Sequence, residues 1–158
     1  MKAASIKEIK TELNHRSTQE LLELCLRLGK FKKENKELLT YLLFESSNEE
    51  DFIQSIKANV DSDFEKINTK TFYFIKKSVR KILRDIKKFI RYSGNKETEI
   101  ELLLYFCFKL KEFKPSIKRN TTLVNLYNRQ IDYINKKVMA LHDDLQYDYN
   151  LELNELEL

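Results

Sequence analysis

Residues 70–91, with the sequence KTFYFIKKSVRKILRDIKKFIR, decide the fold class. At the helical period of about 100° per residue, their Ile, Leu, Val and Phe side chains fall in one arc. The Lys and Arg side chains fall in the opposite arc. Such a pattern is typical of a helix that buries one face and leaves the other in water. The stretch therefore predicts a long amphipathic α-helix over about residues 70–92.

The flanking sequence predicts further helices, because apolar residues recur there at spacings of three and four. Ser5 with Glu8 and Ser17 with Glu20 have the spacing of the capping box, which satisfies free backbone amides at a helix start. Gly29 predicts an end or a bend. The other six predicted helices cover about residues 5–14, 18–30, 33–45, 47–67, 96–113 and 117–145.

The composition argues against a β-fold, since the 158 residues include only two Gly and one Pro to build tight turns. We therefore expect an all-α fold of about seven antiparallel helices. These helices form either α-solenoid-like stacked hairpins or an irregular helical bundle. Residues 100–108 are apolar on nearly every side, which predicts that the sixth helix is the buried centre.

A chain of this length fits one domain. We expect a single all-helical domain over residues 1–149 and an acidic, flexible C-terminal tail over residues 150–158. Residues 25–32 and 107–114 share the pattern Cys-x-basic-Leu-x-x-Phe-Lys. This similarity favours stacked hairpins if the two segments are equivalent, but chance agreement between two amphipathic helices explains it equally well.

Three stretches carry a resemblance to a known family: FIKKSVRKIL at 74–83, NKETEIELLLYFC at 95–107 and KPSIKR at 114–119. They resemble an uncharacterised family of small all-helical bacterial proteins, a domain of unknown function, over most of the chain up to about Tyr149. The paired helices also loosely resemble HEAT and armadillo repeats. That resemblance implies protein or nucleic-acid binding by fold analogy, and neither resemblance implies a catalytic residue.

The charge is unevenly distributed. Residues 70–91 carry nine basic residues and one acid, a net charge of +8, whereas residues 143–158 carry six acids and no base, a net charge of −6. Seven cations in the predicted exposed arc form the candidate binding face, with Tyr73 in the same arc: Lys77, Arg80, Lys81, Arg84, Lys87, Lys88 and Arg91. The alternatives are a solvated, salt-bridged helix face or a docking site for the acidic tail.

Residues that usually carry catalysis are scarce. His15 and His142 are the only histidines, and we interpret both as solvated or capping residues at helix ends. Cys25 and Cys107 lack a Cys-x-x-Cys partner and are expected to fill apolar core positions. The acidic residues Glu97, Glu99, Glu101 and Glu112 do not form the Glu-x-x-His pairs of di-iron bundles. We therefore expect no catalytic residue, cofactor or metal.

The function expected from the sequence is a non-catalytic binding or scaffold module that acts through the basic helix face. Its partner is a protein or a nucleic acid, and no membrane partner is expected. The alternative is a small enzyme or ligand-binding protein with a pocket that the sequence does not mark. Two unpaired cysteines and no apolar N-terminal segment predict a cytoplasmic location.

Overall fold

The computed structural model describes residues 1–158 and contains eight α-helices and no β-strand. The all-α prediction is therefore confirmed. The chain divides into two compact units, residues 1–44 and residues 45–158. The expectation of a single domain over residues 1–149 stays a prediction.

The first unit contains α1 (Ile6–Leu13), α2 (Thr18–Phe31) and α3 (Lys33–Thr40), and a π-helical turn (Tyr41–Glu45) follows α3. Both predicted capping boxes are confirmed. The Ser17 hydroxyl accepts from the Glu20 amide at 3.2 Å, and the Ser17 amide donates to the Glu20 carboxylate at 2.8 Å. The capping-box spacing in the sequence thus predicted the starts of α1 and α2 correctly.

Gly29 lies inside α2 and does not end it, in contrast to the prediction. A Cβ atom at this position would lie 2.9 Å from Cδ1 of Leu39 in α3. The Asn35 side chain also donates to the Leu28 carbonyl at 2.8 Å. A larger residue here would require the Leu39 side chain to shift, so glycine suits the close approach of α2 and α3.

The second unit contains α4 (Glu49–Glu65), α5 (Phe72–Ser93), α6 (Lys96–Glu112), a 3₁₀ turn (Ile117–Arg119), α7 (Thr121–Val138) and α8 (Asp143–Glu155). Helix α6 packs against α4, α5 and α7. Ile100, Phe106, Cys107 and Leu110 of α6 have no exposed surface. Within this unit the prediction that the sixth helix is central is confirmed.

The boundaries around α5 and α6 follow from capping. Gly94 ends α5 in the left-handed conformation with φ 67°, which glycine adopts without strain. The side chain of Asn95 then accepts from the Glu97 amide at 2.8 Å and begins α6. At α4 the cap is Asn48, so the helix begins at Glu49, two residues after the predicted start at residue 47.

The predicted helix 117–145 is wrong, because α7 ends at Val138 and α8 begins at Asp143. The Gln146 side chain holds this break by donating to the Met139 and Leu141 carbonyls at 3.3 and 2.8 Å. His142 is the N-cap of α8.

The predicted flexible tail of residues 150–158 is helical through Glu155. Leu153 and Leu156 are 7% and 5% exposed. The Tyr127 hydroxyl in α7 donates to the Leu156 carbonyl at 2.6 Å. Two buried leucines and a buried hydrogen bond thus fix a segment whose acidic composition suggested a loose terminus.

Candidate nucleic-acid interface

The apolar arc of α5 anchors the helix in the second unit. Ile75 and Val79 have no exposed surface, and Ile82, Ile86 and Ile90 are 4%, 1% and 8% exposed. Because these residues repeat at spacings of three and four, their burial fixes the rotation of the helix about its own axis. The opposite face must then point into solvent.

Six of the seven predicted cations are exposed, and Lys88 is half-buried. They fall within an arc of about 120° at the helical period of about 100° per residue. From Lys77 to Arg91 the array extends for about 21 Å at a rise of about 1.5 Å per residue. We call these seven residues the basic face: Lys77, Arg80, Lys81, Arg84, Lys87, Lys88 and Arg91.

Most cations of the basic face are not neutralised by acids. Lys77, Arg80, Lys81, Arg84 and Arg91 form no ion pair. Lys87 lies at the edge of the face, where its Nζ is 5.9 Å from the centre of the Tyr133 ring. The expectation of a salt-bridged surface therefore does not describe these five side chains.

The lysines of neighbouring helices behave differently. The Lys57 ammonium lies 2.5 Å from Glu101, and Lys109 lies 2.8 Å from Asp61. Lys137 lies 3.0 Å from Glu99. These three lysines are neutralised by a nearby carboxylate, whereas five cations of the basic face are not.

Tyr73 lies at the amino end of the basic face and is 66% exposed. Its ring meets that of Phe74 edge to face, with the ring centres 5.4 Å apart. Phe74 is itself 40% exposed. These two rings offer an apolar surface at the end of the row of cations, and nucleic-acid bases stack on surfaces of this kind.

The acidic C-terminal segment does not dock on the basic face. No ion pair joins α8 to α5. Helix α8 packs against α7, and the Lys111 ammonium in α6 donates to the Glu155 carbonyl at 2.7 Å. The docking hypothesis is therefore wrong for this structure, because burial of Leu153 and Leu156 places the segment elsewhere in the unit.

The histidines lie at helix ends. His15 is exposed after α1, and the His142 Nδ1 accepts weakly from the Asp144 amide at 3.5 Å as the cap of α8. Of the cysteines, Cys107 is buried as predicted, whereas Cys25 is exposed on α2, contrary to its expected core position. Burial raises the pKa of the Cys107 thiol to about 12.

The four acidic residues considered for metal binding are dispersed or already paired. Glu97 lies in the first turn of α6, and Glu112 is exposed in its last turn. Glu101 pairs with Lys57, and Glu99 pairs with Lys137. No group of three or more His, Cys, Asp or Glu side chains is arranged to hold a metal ion.

One polar cluster was missed by the sequence reasoning. The Tyr105 hydroxyl donates to Asp61 at 2.6 Å, and Lys109 pairs with the same carboxylate. Burial, and then the hydrogen bond to Asp61, raises the pKa of Tyr105 to about 12. Glu101, Tyr105 and Lys109 follow one another at intervals of four in α6, and this spacing was the available signal.

A cleft of about 480 Å³ lies beside this cluster. Lys57, Glu101, Lys111, Tyr149 and Glu152 contribute to its lining. Burial, and then the charge of Glu101, raises the pKa of Glu152. The cleft is therefore the place in the second unit where several titratable groups converge.

No protein-family model matches the chain, and neither a curated protein nor a solved structure matches it. None of the helices is both long enough and apolar enough to cross a membrane.

Proposed function

We propose that the chain is a non-catalytic binding module that holds the phosphate backbone of a nucleic acid through the basic face of α5. The observation that carries this proposal is the row of five exposed Lys and Arg side chains without an ion pair. Backbone binding needs several cations on one surface and no further chemistry.

The geometry of the row suits a repeating polyanion. Residues three and four apart on a helix have Cβ atoms about 5–6 Å apart, so neighbouring cations can contact successive charges. Arg80, Arg84 and Arg91 present planar guanidinium groups, which bind phosphate through two parallel hydrogen bonds. A single small anion would use only one or two of these groups.

The exposed rings of Tyr73 and Phe74 favour a single-stranded or unpaired nucleic acid over an acidic protein surface. Stacking of a base on an aromatic side chain contributes about 1–3 kcal/mol and needs no particular base. An acidic protein would gain the charge interaction but not this stacking.

A cytoplasmic location belongs to the same proposal, since nucleic acids are available there and the exposed Cys25 stays reduced. The loose likeness of the helix pairs to HEAT and armadillo repeats suggests the same class of role by fold analogy.

The test is the variant R80Q/R84Q/K87Q/R91Q, with binding to single-stranded RNA, single-stranded DNA, duplex DNA and heparin measured by fluorescence anisotropy over a range of salt. Binding should fall at least tenfold. Its dependence on salt should flatten by about 0.7 for each lost contact to a single strand. The fold should persist, because burial of the apolar arc holds the helix in place.

The matched control is K118Q/R119Q/R129Q/K136Q, which removes the same charge from exposed positions outside α5. It should keep most of the binding. An equal loss in both variants would show a general charge effect, and equally poor binding by wild type and the α5 variant at low salt would exclude the nucleic-acid role.

The second candidate is a small-molecule site in the cleft beside α6. The convergence of Lys57, Glu101 and Glu152 favours it. It ranks behind the basic face because Lys57 already pairs with Glu101, and Lys111 already donates to the Glu155 carbonyl. A ligand that raises the unfolding temperature of wild type but not of the Glu152→Gln variant would support the cleft instead.

A further inference from the structure

Helices α1 and α2 bury none of their residues. Apart from the half-buried Leu21, their large apolar side chains are 38% to 81% exposed, including Ile6, Ile9 and Leu13 in α1 and Leu24, Leu28 and Phe31 in α2. Monomeric proteins rarely expose contiguous apolar surface of this kind. A partner surface is therefore needed.

The spacing of these residues indicates the shape of that partner. Ile6, Ile9 and Leu13 follow intervals of three and four, and so do Leu24, Leu28 and Phe31. This alternation is the one that packs a helix against another helix with interlocking side chains. The surface is thus suited to helices.

A groove of about 550 Å³ runs along α1 and α2. Ile9, Leu13 and Leu24 supply its apolar lining. Charged residues of both signs also line it, among them Glu23 and Arg27. A groove with both signs of charge can be complementary to itself.

We propose that the occupant of this groove is a second copy of the chain, with α1 and α2 of two protomers forming an antiparallel four-helix bundle about a twofold axis. The charges along α2 support the antiparallel order. Glu20 and Glu23 occupy its first half, and Arg27 and Lys30 occupy its second half. In an antiparallel pair the acidic half of one α2 lies opposite the basic half of the other.

The interface is smaller than the standard one. Helices α1 and α2 have 8 and 14 residues and present one face each to the second copy, so the contact lies below the usual size of about 20–30 residues on each side and the dimer should dissociate on dilution. The inference is independent of the proposed nucleic-acid role, because it uses no residue of α5.

The test is sedimentation equilibrium of the full chain over a wide range of concentration. Wild type should approach twice its monomer mass of 19.0 kDa. The variant L24K/L28K should weaken association at least about a hundredfold, since two apolar contacts become charged. The control L151K changes a leucine of α8 that is 51% exposed and should leave association unchanged.

A charge exchange separates a second copy from a failure to fold. Glu23→Arg and Arg27→Glu should each weaken association about tenfold, and the double variant should recover to within about threefold of wild type, because opposite charges again face each other. Helical content should be equal in all variants by circular dichroism. The proposal is overturned if wild type keeps the monomer mass throughout, if L151K acts like L24K/L28K, or if the double exchange fails to recover. A monomeric wild type would instead point to a foreign helical partner.

Discussion

Residues 25–32 and 107–114 share a sequence pattern but have opposite surroundings. Leu28 is 59% exposed, whereas Leu110 has no exposed surface, and Cys25 is exposed whereas Cys107 is buried. Residues 25–31 lie in α2, and residues 107–112 lie in α6. The sequence pattern therefore specifies which side of a helix is apolar. Whether that side is buried depends on how many neighbouring helices pack against it.

Helix α6 packs against three helices, α4, α5 and α7, whereas α2 packs against α3. Every helix of the second unit contains a buried residue, and none of α1, α2 and α3 does. The two segments therefore test what burial alone contributes to stability.

The largest effect is expected at the matched leucines. Leu110→Ala should lower the free energy of unfolding by about 2–5 kcal/mol, because it leaves a cavity in a closed core. Leu28→Ala should change it by less than about 0.5 kcal/mol in solution dilute enough to prevent self-association. Denaturant unfolding followed by circular dichroism measures both. Similar costs at the two positions would show that α2 is packed as well as α6.

A smaller effect is expected at the C-terminus, where the same contrast exists inside one helix. Leu153 is 7% exposed and Leu151 is 51% exposed. Leu153→Ala should cost about 2 kcal/mol, near the lower end for buried leucines, and Leu151→Ala should cost less than about 0.5 kcal/mol. The same unfolding experiment applies. An equally small loss of unfolding free energy at both positions would support the predicted flexible tail instead.

The smallest effect is expected at the polar cluster of α6. Tyr105→Phe should cost about 1.5 kcal/mol near neutral pH by removing the hydrogen bond to the Asp61 carboxylate. The pKa of Tyr105 is raised to about 12, so this stabilisation is present below pH 10, the region of the unperturbed pKa, and is lost as the pH rises through about 12. Unfolding measured between pH 8 and pH 12 should show the two proteins converging. A constant difference would mean that Tyr105 acts through packing alone.

Local chemistry predicted much of the fold. The capping boxes at Ser5 and Ser17 and the amphipathic pattern of α5 each depend on residues within a few turns of one another. Such signals can be identified in sequence because the interacting groups are close in the chain.

Contacts between distant segments could not be predicted in this way. The break between α7 and α8 depends on Gln146, whose side chain has no special propensity for helix ends. The burial of Leu156 depends on α7, where the hydroxyl of Tyr127 donates to the Leu156 carbonyl. These two residues are 29 positions apart in the sequence. The acidic composition of the segment suggested solvent, and packing of its leucines outweighed that tendency.

The candidate site was predicted in part for the same reason. The rotation of α5 fixes which residues form the basic face, and its own sequence sets that rotation. Whether those cations form ion pairs depends on the side chains of other helices. The absence of ion pairs at Arg80 and Arg84 could therefore be established only from the structure. The exposed apolar surface of α1 and α2 was missed because the same leucines also predict a core.

The two cysteines differ in how readily a thiol reagent reaches them. A thiol reagent meets Cys25 at the surface of α2 without any opening of the chain, whereas Cys107 has no exposed surface and a pKa raised to about 12. The thiolate is the reactive form, so Cys107 becomes a nucleophile only when α6 is released from its neighbours. Modification of Cys25 therefore reports the amount of protein present, and the rate at which Cys107 is modified reports how often the core opens.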